Sequence, residues 1–163
     1  MVSNWVSEQG ASRHNGWEKG YPRHWSWSKK GGDYDKGRDF LCVHWEVWEE
    51  GSPACVRLHV EAPKRAQDRF LNDMKRQLIH ALLDSEITEV AEAHGLGYEV
   101  GRLVTDDHIA RNKCTEALHL VVRDRDPRAR VSETILAVHA VVGDAVEEAL
   151  RPFSERLDRF FDV

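Results

Sequence analysis

Side chains suited to metal or acid–base chemistry occupy alternate positions in two short segments of this chain, at residues 42–46 and 55–61. Both segments alternate apolar and polar residues as strands do, and Gly51-Ser52-Pro53 provides a bend between them. Imidazole, thiolate and carboxylate groups bind zinc, and imidazole–carboxylate pairs transfer protons. The polar set is Cys42, His44, Glu46, Cys55, Arg57, His59 and Glu61.

A hairpin in which paired residue numbers sum to 103 places the whole polar set on one face and the valines and leucines on the other. Directly opposed side chains then lie within about 5.5 Å of one another at Cβ. The predicted cross-strand pairs are His44 with His59, Glu46 with Arg57, and Cys42 with Glu61.

Two interpretations of this polar face stay open. Because helices cover the apolar face of such a sheet, the first predicts a polar face that is solvated or covered by the Trp-rich arm of residues 1–24, with no catalytic residue, no metal and no cofactor. The alternative is a metal-dependent hydrolase or nuclease. Its catalytic residues would be His44, His59 and Glu46, and its metal ligands would be His44, His59 and Glu61.

Aromatic and basic residues between positions 25 and 57 predict a contact surface instead of an active site. Exposed aromatic rings beside cationic groups bind protein partners or stack on bases. A protein partner is the first expectation and nucleic acid the second, because the formal net charge is −5. The predicted contact residues are Trp25, Trp27, Trp48, Lys29, Lys30 and Arg57.

Length and composition favour one globular domain. The 163 residues are 41% hydrophobic and 31% charged, which predicts a single domain over 1–163, with a Trp-rich irregular arm at 1–24 packed on it. Three cysteines without CxxC spacing indicate free thiols in a reducing compartment. With no signal peptide and no membrane-length apolar run, we expect a cytoplasmic protein that does not contact the membrane.

The elements that position these residues follow from hydrophobic periodicity. Residues 24–28, 40–50 and 55–61 alternate as strands, 64–83 and 132–161 show helical spacing, and 87–97 fits a short helix. Residues 98–104 and 117–124 are further strands, and 105–114 is a loop. The prediction is an α+β domain of order β-β-β-α-(α)-β-β-α, with helices on one face of an antiparallel sheet of four to five strands.

Two other features carry weaker hypotheses. The loop at 105–114 gathers Asp106, Asp107, His108 and Cys114, but adjacent aspartates point to different sides, so neither a metal site nor a nucleophile is predicted there. The valines and phenylalanines of residues 132–161 allow a homodimer, and thus a self-assembling structural protein, in which Val142→Glu would separate the copies.

The order of these segments resembles an uncharacterised accessory domain at the C-terminal end of some restriction-endonuclease-like proteins of bacteria. The resemblance covers roughly residues 16–161. It is carried by GWEKGYPRHWSWS, FLCVHWEVWEE, ACVRLHVEAPK, AQDRFLNDMKRQLIHALL, GYEVGRL and ILAVHAVVGDAVEEALRPFSERLDRFF. It implies a helper module in prokaryotic defence, without catalytic residues. The predicted function is therefore a non-enzymatic binding module in defence or counter-defence, where a phage-type inhibitor is one form.

Overall fold

The described part of the chain contains one antiparallel sheet of six strands, together with four helices. The computed structural model describes residues 6–7, 24–28, 40–48, 54–62, 69–100, 105–112, 114–123, 128 and 131–161. The strands are β1 (Val6–Ser7), β2 (His24–Ser28), β3 (Phe40–Trp48), β4 (Ala54–Glu61), β5 (Gly97–Val100) and β6 (Cys114–Val122). The helices are α1 (Arg69–Leu83), α2 (Ile87–Ala93), α3 (Asp106–Arg111) and α4 (Val131–Phe161).

The α+β class, with its antiparallel sheet and helices, is confirmed, whereas the strand count and the element order differ from the prediction. The strands lie in the order β1-β2-β3-β4-β6-β5. Val6–Ser7 is too short to show a period, so its pairing with β2 was not expected. Residues 105–114 contain α3 instead of a continuous loop, because Thr105 caps the helix by accepting a hydrogen bond from the His108 N–H at 3.1 Å.

The β3–β4 hairpin has the predicted register. His44 pairs with His59 and Glu46 with Arg57, so the polar set lies on one face of the sheet as expected. The opposite face is apolar, and α1 and α4 contact it through β3, β4 and β6. A hydrogen bond joins β3 to α4 across this interface: the indole N–H of Trp45 donates to Nδ1 of His139 at 3.2 Å.

The core lies between the apolar face and the helices. Side chains from β2, β3, β4, β6 and all four described helices form this one hydrophobic core. The α4 stripe predicted to join two copies packs here instead: Val142 and Val146 are fully buried within their own chain. These valines therefore pack within their own chain, and a homodimer through residues 132–161 stays a prediction.

None of the helices in the described ranges combines the length and hydrophobicity that a bilayer crossing needs. All three cysteines are free thiols.

Candidate metal centre

Nine side chains form a three-by-three lattice on the sheet face opposite α1 and α4. Each of β3, β4 and β6 contributes three of them, and the strand registers align the rows. Cross-strand neighbours on one face lie about 5 Å apart, so each group reaches the next. The rows are Cys42, Glu61 and Cys114; His44, His59 and Glu116; and Glu46, Arg57 and His119.

A bulge in β6 brings its polar residues onto this face. His59 pairs with Glu116 and Leu58 with Leu118, so Ala117 is the additional residue. An inserted residue reverses which face the following positions occupy. Because of it, Glu116 and His119 share a face although their spacing of three would place them on opposite faces of a regular strand.

This face is buried along β3 and at His59 of β4, so a solvated face, one of the two predicted alternatives, is wrong there. Glu46 is 2% exposed, His44 5% and His59 8%. Ionisable side chains are rarely so buried unless they are paired, because removing a charge from water is costly. Alternation along the strands shows which residues share a face, but it does not show whether that face is covered.

Glu46 links the two buried histidines. One carboxylate oxygen lies 2.8 Å from His44 Nε2, and the other lies 2.8 Å from His59 Nδ1. Burial alone would raise the pKa of Glu46, but the hydrogen bonds from both imidazoles outweigh it and lower the pKa to about 2. Glu46 is therefore a carboxylate at neutral pH.

Cys114 completes the buried group from the third strand. Its Sγ lies 3.1 Å from His59 Nδ1. Burial opposes charge on this thiol, but hydrogen bonds with His44 and His59 lower its pKa below the ordinary value. Burial likewise opposes charge on His59, yet its contacts with Cys114 and Glu46 raise its pKa to about 9. The pKa of His44 is raised well above the usual value despite burial, through Cys42, Cys114 and Glu46.

One ligand atom from each of His44, Glu46, His59 and Cys114 lies within 4.8 Å of the other three. A tetrahedral zinc site with bonds of 2.0–2.3 Å separates its ligand atoms by about 3.4 Å. Small side-chain rotations therefore suffice to place an ion among the four. The imidazole rings cross edge to face, with centroids 5.6 Å apart, so both can direct a nitrogen to one point.

Cys42 lies behind this group of four. Its Sγ is 3.5 Å from Nδ1 of His44, the ring nitrogen that faces away from Glu46. Burial raises the pKa of the Cys42 thiol, although His44 acts in the other direction. A sulfur at this position accepts the N–H of a histidine whose other nitrogen is a ligand, and so fixes the ring orientation.

A second, more open group borders the first on the same face. Glu116 accepts from Arg57 Nη1 at 3.0 Å and from His119 Nδ1 at 2.6 Å. The side chains of Arg57, Glu116 and His119 are 28%, 22% and 15% exposed. Solvent exposure thus increases from Glu46 toward Arg57 along one row of the lattice.

Three of the six predicted contact residues have side chains that the structure describes. Trp25 and Trp27 pair with Val43 and Leu41 and are buried in the apolar core, so they cannot form an exposed contact surface. Arg57 is half-buried and paired with Glu116. Lys29, Lys30 and the Trp48 side chain lie outside the described residues.

The structure also changes the ligand set that the sequence indicated. His44, His59 and Glu46 do converge, but the fourth donor is Cys114, and Glu61 lies outside the group although it is buried. The sequence placed Cys114 in a loop because its strand was expected to begin at residue 117. The polar residues at 114 and 116, two apart, were the available signal that the strand begins earlier.

Comparison of the chain with protein-family models, with curated proteins and with solved structures gave no match. The resemblance to a defence-associated accessory domain therefore stays a prediction.

Proposed function

We propose that this chain binds one transition-metal ion, zinc by its donor set, through His44, Glu46, His59 and Cys114. The observation that carries the proposal is the convergence of four donor atoms from three strands within 4.8 Å of one another, on three buried residues and the partly buried Cys114. Two imidazole nitrogens, one carboxylate and one thiolate suit zinc and the neighbouring late transition metals. A site with sulfur disfavours magnesium and calcium, which prefer oxygen ligands alone.

Charge balance supports the proposal. As metal ligands, Glu46 and Cys114 supply a carboxylate and a thiolate, and His44 and His59 bind as neutral imidazoles. The two negative charges then equal the charge of one divalent ion. Metal can therefore enter this buried group without adding an uncompensated charge.

The contacts around His59 favour a cation site over a cysteine nucleophile. In a nucleophilic site the base uses one ring nitrogen for the thiol and the other for the group that orients it. Here Cys114 and Glu46 both approach Nδ1 of His59, at 3.1 and 2.8 Å. This arrangement gathers donors around one point instead of passing a proton through the ring.

The first test is metal content. Purified protein, stripped with chelator and reloaded with Zn²⁺, should hold one equivalent by elemental analysis, and at an ion concentration of 100 Kd its stability should rise by about 2.7 kcal/mol. His59→Gln and Cys114→Ser should each lose the ion. His94→Gln is the matched control, because His94 is exposed and bonds locally to the Val90 carbonyl.

Glu46→Gln and Glu61→Gln separate the structural ligand set from the set indicated by sequence. We expect the first variant to bind zinc weakly and the second to keep one equivalent. Wild-type protein that takes up no zinc, cobalt or nickel would refute the proposal, as would a Cys114→Ser variant with unchanged affinity.

Metal-dependent hydrolysis is the second candidate function, in which three of the four side chains hold the ion and water takes the fourth position. The observation that favours it is that β3, β4 and β6 are already joined by backbone pairing and supported by a core on their other face. A metal is thus not required to hold these strands together, unlike in zinc fingers, which unfold without it. Loss of hydrolysis of model esters and phosphodiesters on chelation, with recovery on zinc addition, is the expected result.

Binding to a protein or nucleic-acid partner in defence or counter-defence stays a prediction. Of the proposed contact residues, Arg57 is a described side chain that keeps partial exposure. Affinity capture with wild-type and Arg57→Ala protein tests this role, and equal recovery of every partner by both would contradict Arg57 as a contact.

A further inference from the structure

Lys75 occupies a position on α1 where the helical pattern demands an apolar residue. It follows Leu71 by four residues and precedes Ile79 by four, and both neighbours are fully buried. Lys75 itself is 2% exposed. A lysine is seldom buried so completely, because its ammonium group must exchange water for hydrogen-bond acceptors.

The ammonium group finds acceptors at the end of α3. Lys75 Nζ donates to the Ile109 carbonyl at 2.9 Å and also to the Asn112 carbonyl. The last carbonyls of a helix lack partners within the helix, so this bond satisfies a group that burial would otherwise leave costly. Lys75 therefore ties α1 to the segment that enters β6.

The segment that ends α3 precedes Cys114, one of the four proposed metal ligands. Asn112 lies two residues before Cys114, the first residue of β6. Pairing with Glu61 holds Cys114 on the β4 side, and Lys75 holds the carbonyl of Asn112, two residues before it. The charges also fit, since the thiol of Cys114 and the carboxylate of Glu61 both act on Lys75 and oppose the effect of burial, which still lowers its pKa to about 8.

We propose that Lys75 is a positioning residue that holds the α3–β6 junction so that Cys114 Sγ reaches the metal. The inference rests on the proposed metal centre and adds the element that keeps its thiolate ligand in place. Lys75 acts through the backbone, because its ammonium group donates to the carbonyls of Ile109 and Asn112.

Lys75→Met tests the inference, because methionine fills the same apolar stripe without donating a hydrogen bond. We expect zinc affinity to fall 10- to 100-fold, as for other changes behind a metal ligand. The cobalt-loaded variant should also lose much of its thiolate-to-cobalt charge-transfer absorption, which reports sulfur ligation directly.

Ile79→Val is the matched control, a core change on the same helix that costs about 1 kcal/mol of stability and keeps the hydrogen bonds of Lys75. It should leave both the zinc affinity and the cobalt spectrum as in wild type. Should Lys75→Met fail to fold, Lys75→Gln keeps a neutral donor and should show an affinity loss of at least about tenfold.

The results distinguish this inference from the metal proposal. Wild-type protein that binds no metal overturns both. Wild-type protein that binds zinc, together with a folded Lys75→Met or Lys75→Gln variant of wild-type affinity and cobalt spectrum, overturns the role of Lys75 alone. An equal loss in Ile79→Val would also overturn it, because the effect would then follow stability and not position.

Discussion

Glu46→Gln is a sharp test of the buried ionic group, since it removes a charge while keeping the shape of the side chain. The pKa of His59 rises from 6.5 to about 9, which corresponds to about 3 kcal/mol. The largest favourable contribution to this pKa shift comes from Cys114 and the next from Glu46, and His44 interacts with Glu46 as well. Removal of one partner from a buried ion pair costs about 3–5 kcal/mol. We therefore expect the metal-free variant to lose about 3 kcal/mol at pH 6.

The loss should depend on pH with a defined sign. The folded-state pKa of His59 is raised, so its stabilising contribution is complete below pH 6.5 and disappears as the pH rises through about 9. The folded-state pKa of Glu46 is lowered from 4.5 to about 2, so its contribution is complete above pH 4.5 and disappears as the pH falls through about 2. The difference between wild type and variant should thus be largest between pH 4.5 and 6.5.

Urea unfolding with chelator present, at pH 3, 6 and 9.5, measures this difference. Glu116→Gln is the control, because its carboxylate and its partner Arg57 are partly exposed and should contribute only about 1 kcal/mol. A Glu46→Gln variant within 1 kcal/mol of wild type at pH 6, or a difference that stays constant to pH 9.5, would refute the ionic description of the cluster.

Two further predictions concern α4. Gly143→Ala should destabilise the protein by about 1–3 kcal/mol, because the new Cβ would lie 2.7 Å from His139 Nε2. In a His139→Ala background the same change should stabilise by up to about 1 kcal/mol through helix propensity, and a loss in both backgrounds by thermal unfolding would contradict the steric reason. Val142→Glu should unfold the chain, because Val142 is fully buried in the core of its own chain. Circular dichroism measures the expected loss of helix. A variant that stays folded and has half the wild-type mass by light scattering would contradict this prediction.

Much of the sheet could be predicted because its information is local. Alternation over residues 40–48 and 54–61 and the intervening bend determine one register, and that register pairs His44 with His59 as observed. The long apolar spacing of α1 and α4 is equally local. The short strand β1 and the capped helix α3 escaped prediction, because neither is long enough to show a period.

The site could be predicted only in part because its decisive features are not local. Cys114 meets His59 across a separation of 55 residues, and the bulge that keeps Glu116 and His119 on the same face depends on pairing between two distant strands. Lys75 did leave a signal, a cation in an apolar stripe, but its acceptors lie 34 and 37 residues further along the chain. Burial of the polar face is likewise a property of the folded molecule.

Residues 40–46 of β3 therefore have two buried faces of opposite character. The apolar face supplies the hydrophobic stabilisation that folding needs, while the other face holds ionisable groups whose desolvation works against it. Pairing offsets that cost, since Glu46 contacts both His44 and His59, and Cys114 contacts His59. On the proposal above, the ion enters among side chains whose strands are already held by backbone pairing and by the core on the other face, so we expect it to bind to a domain that is already folded.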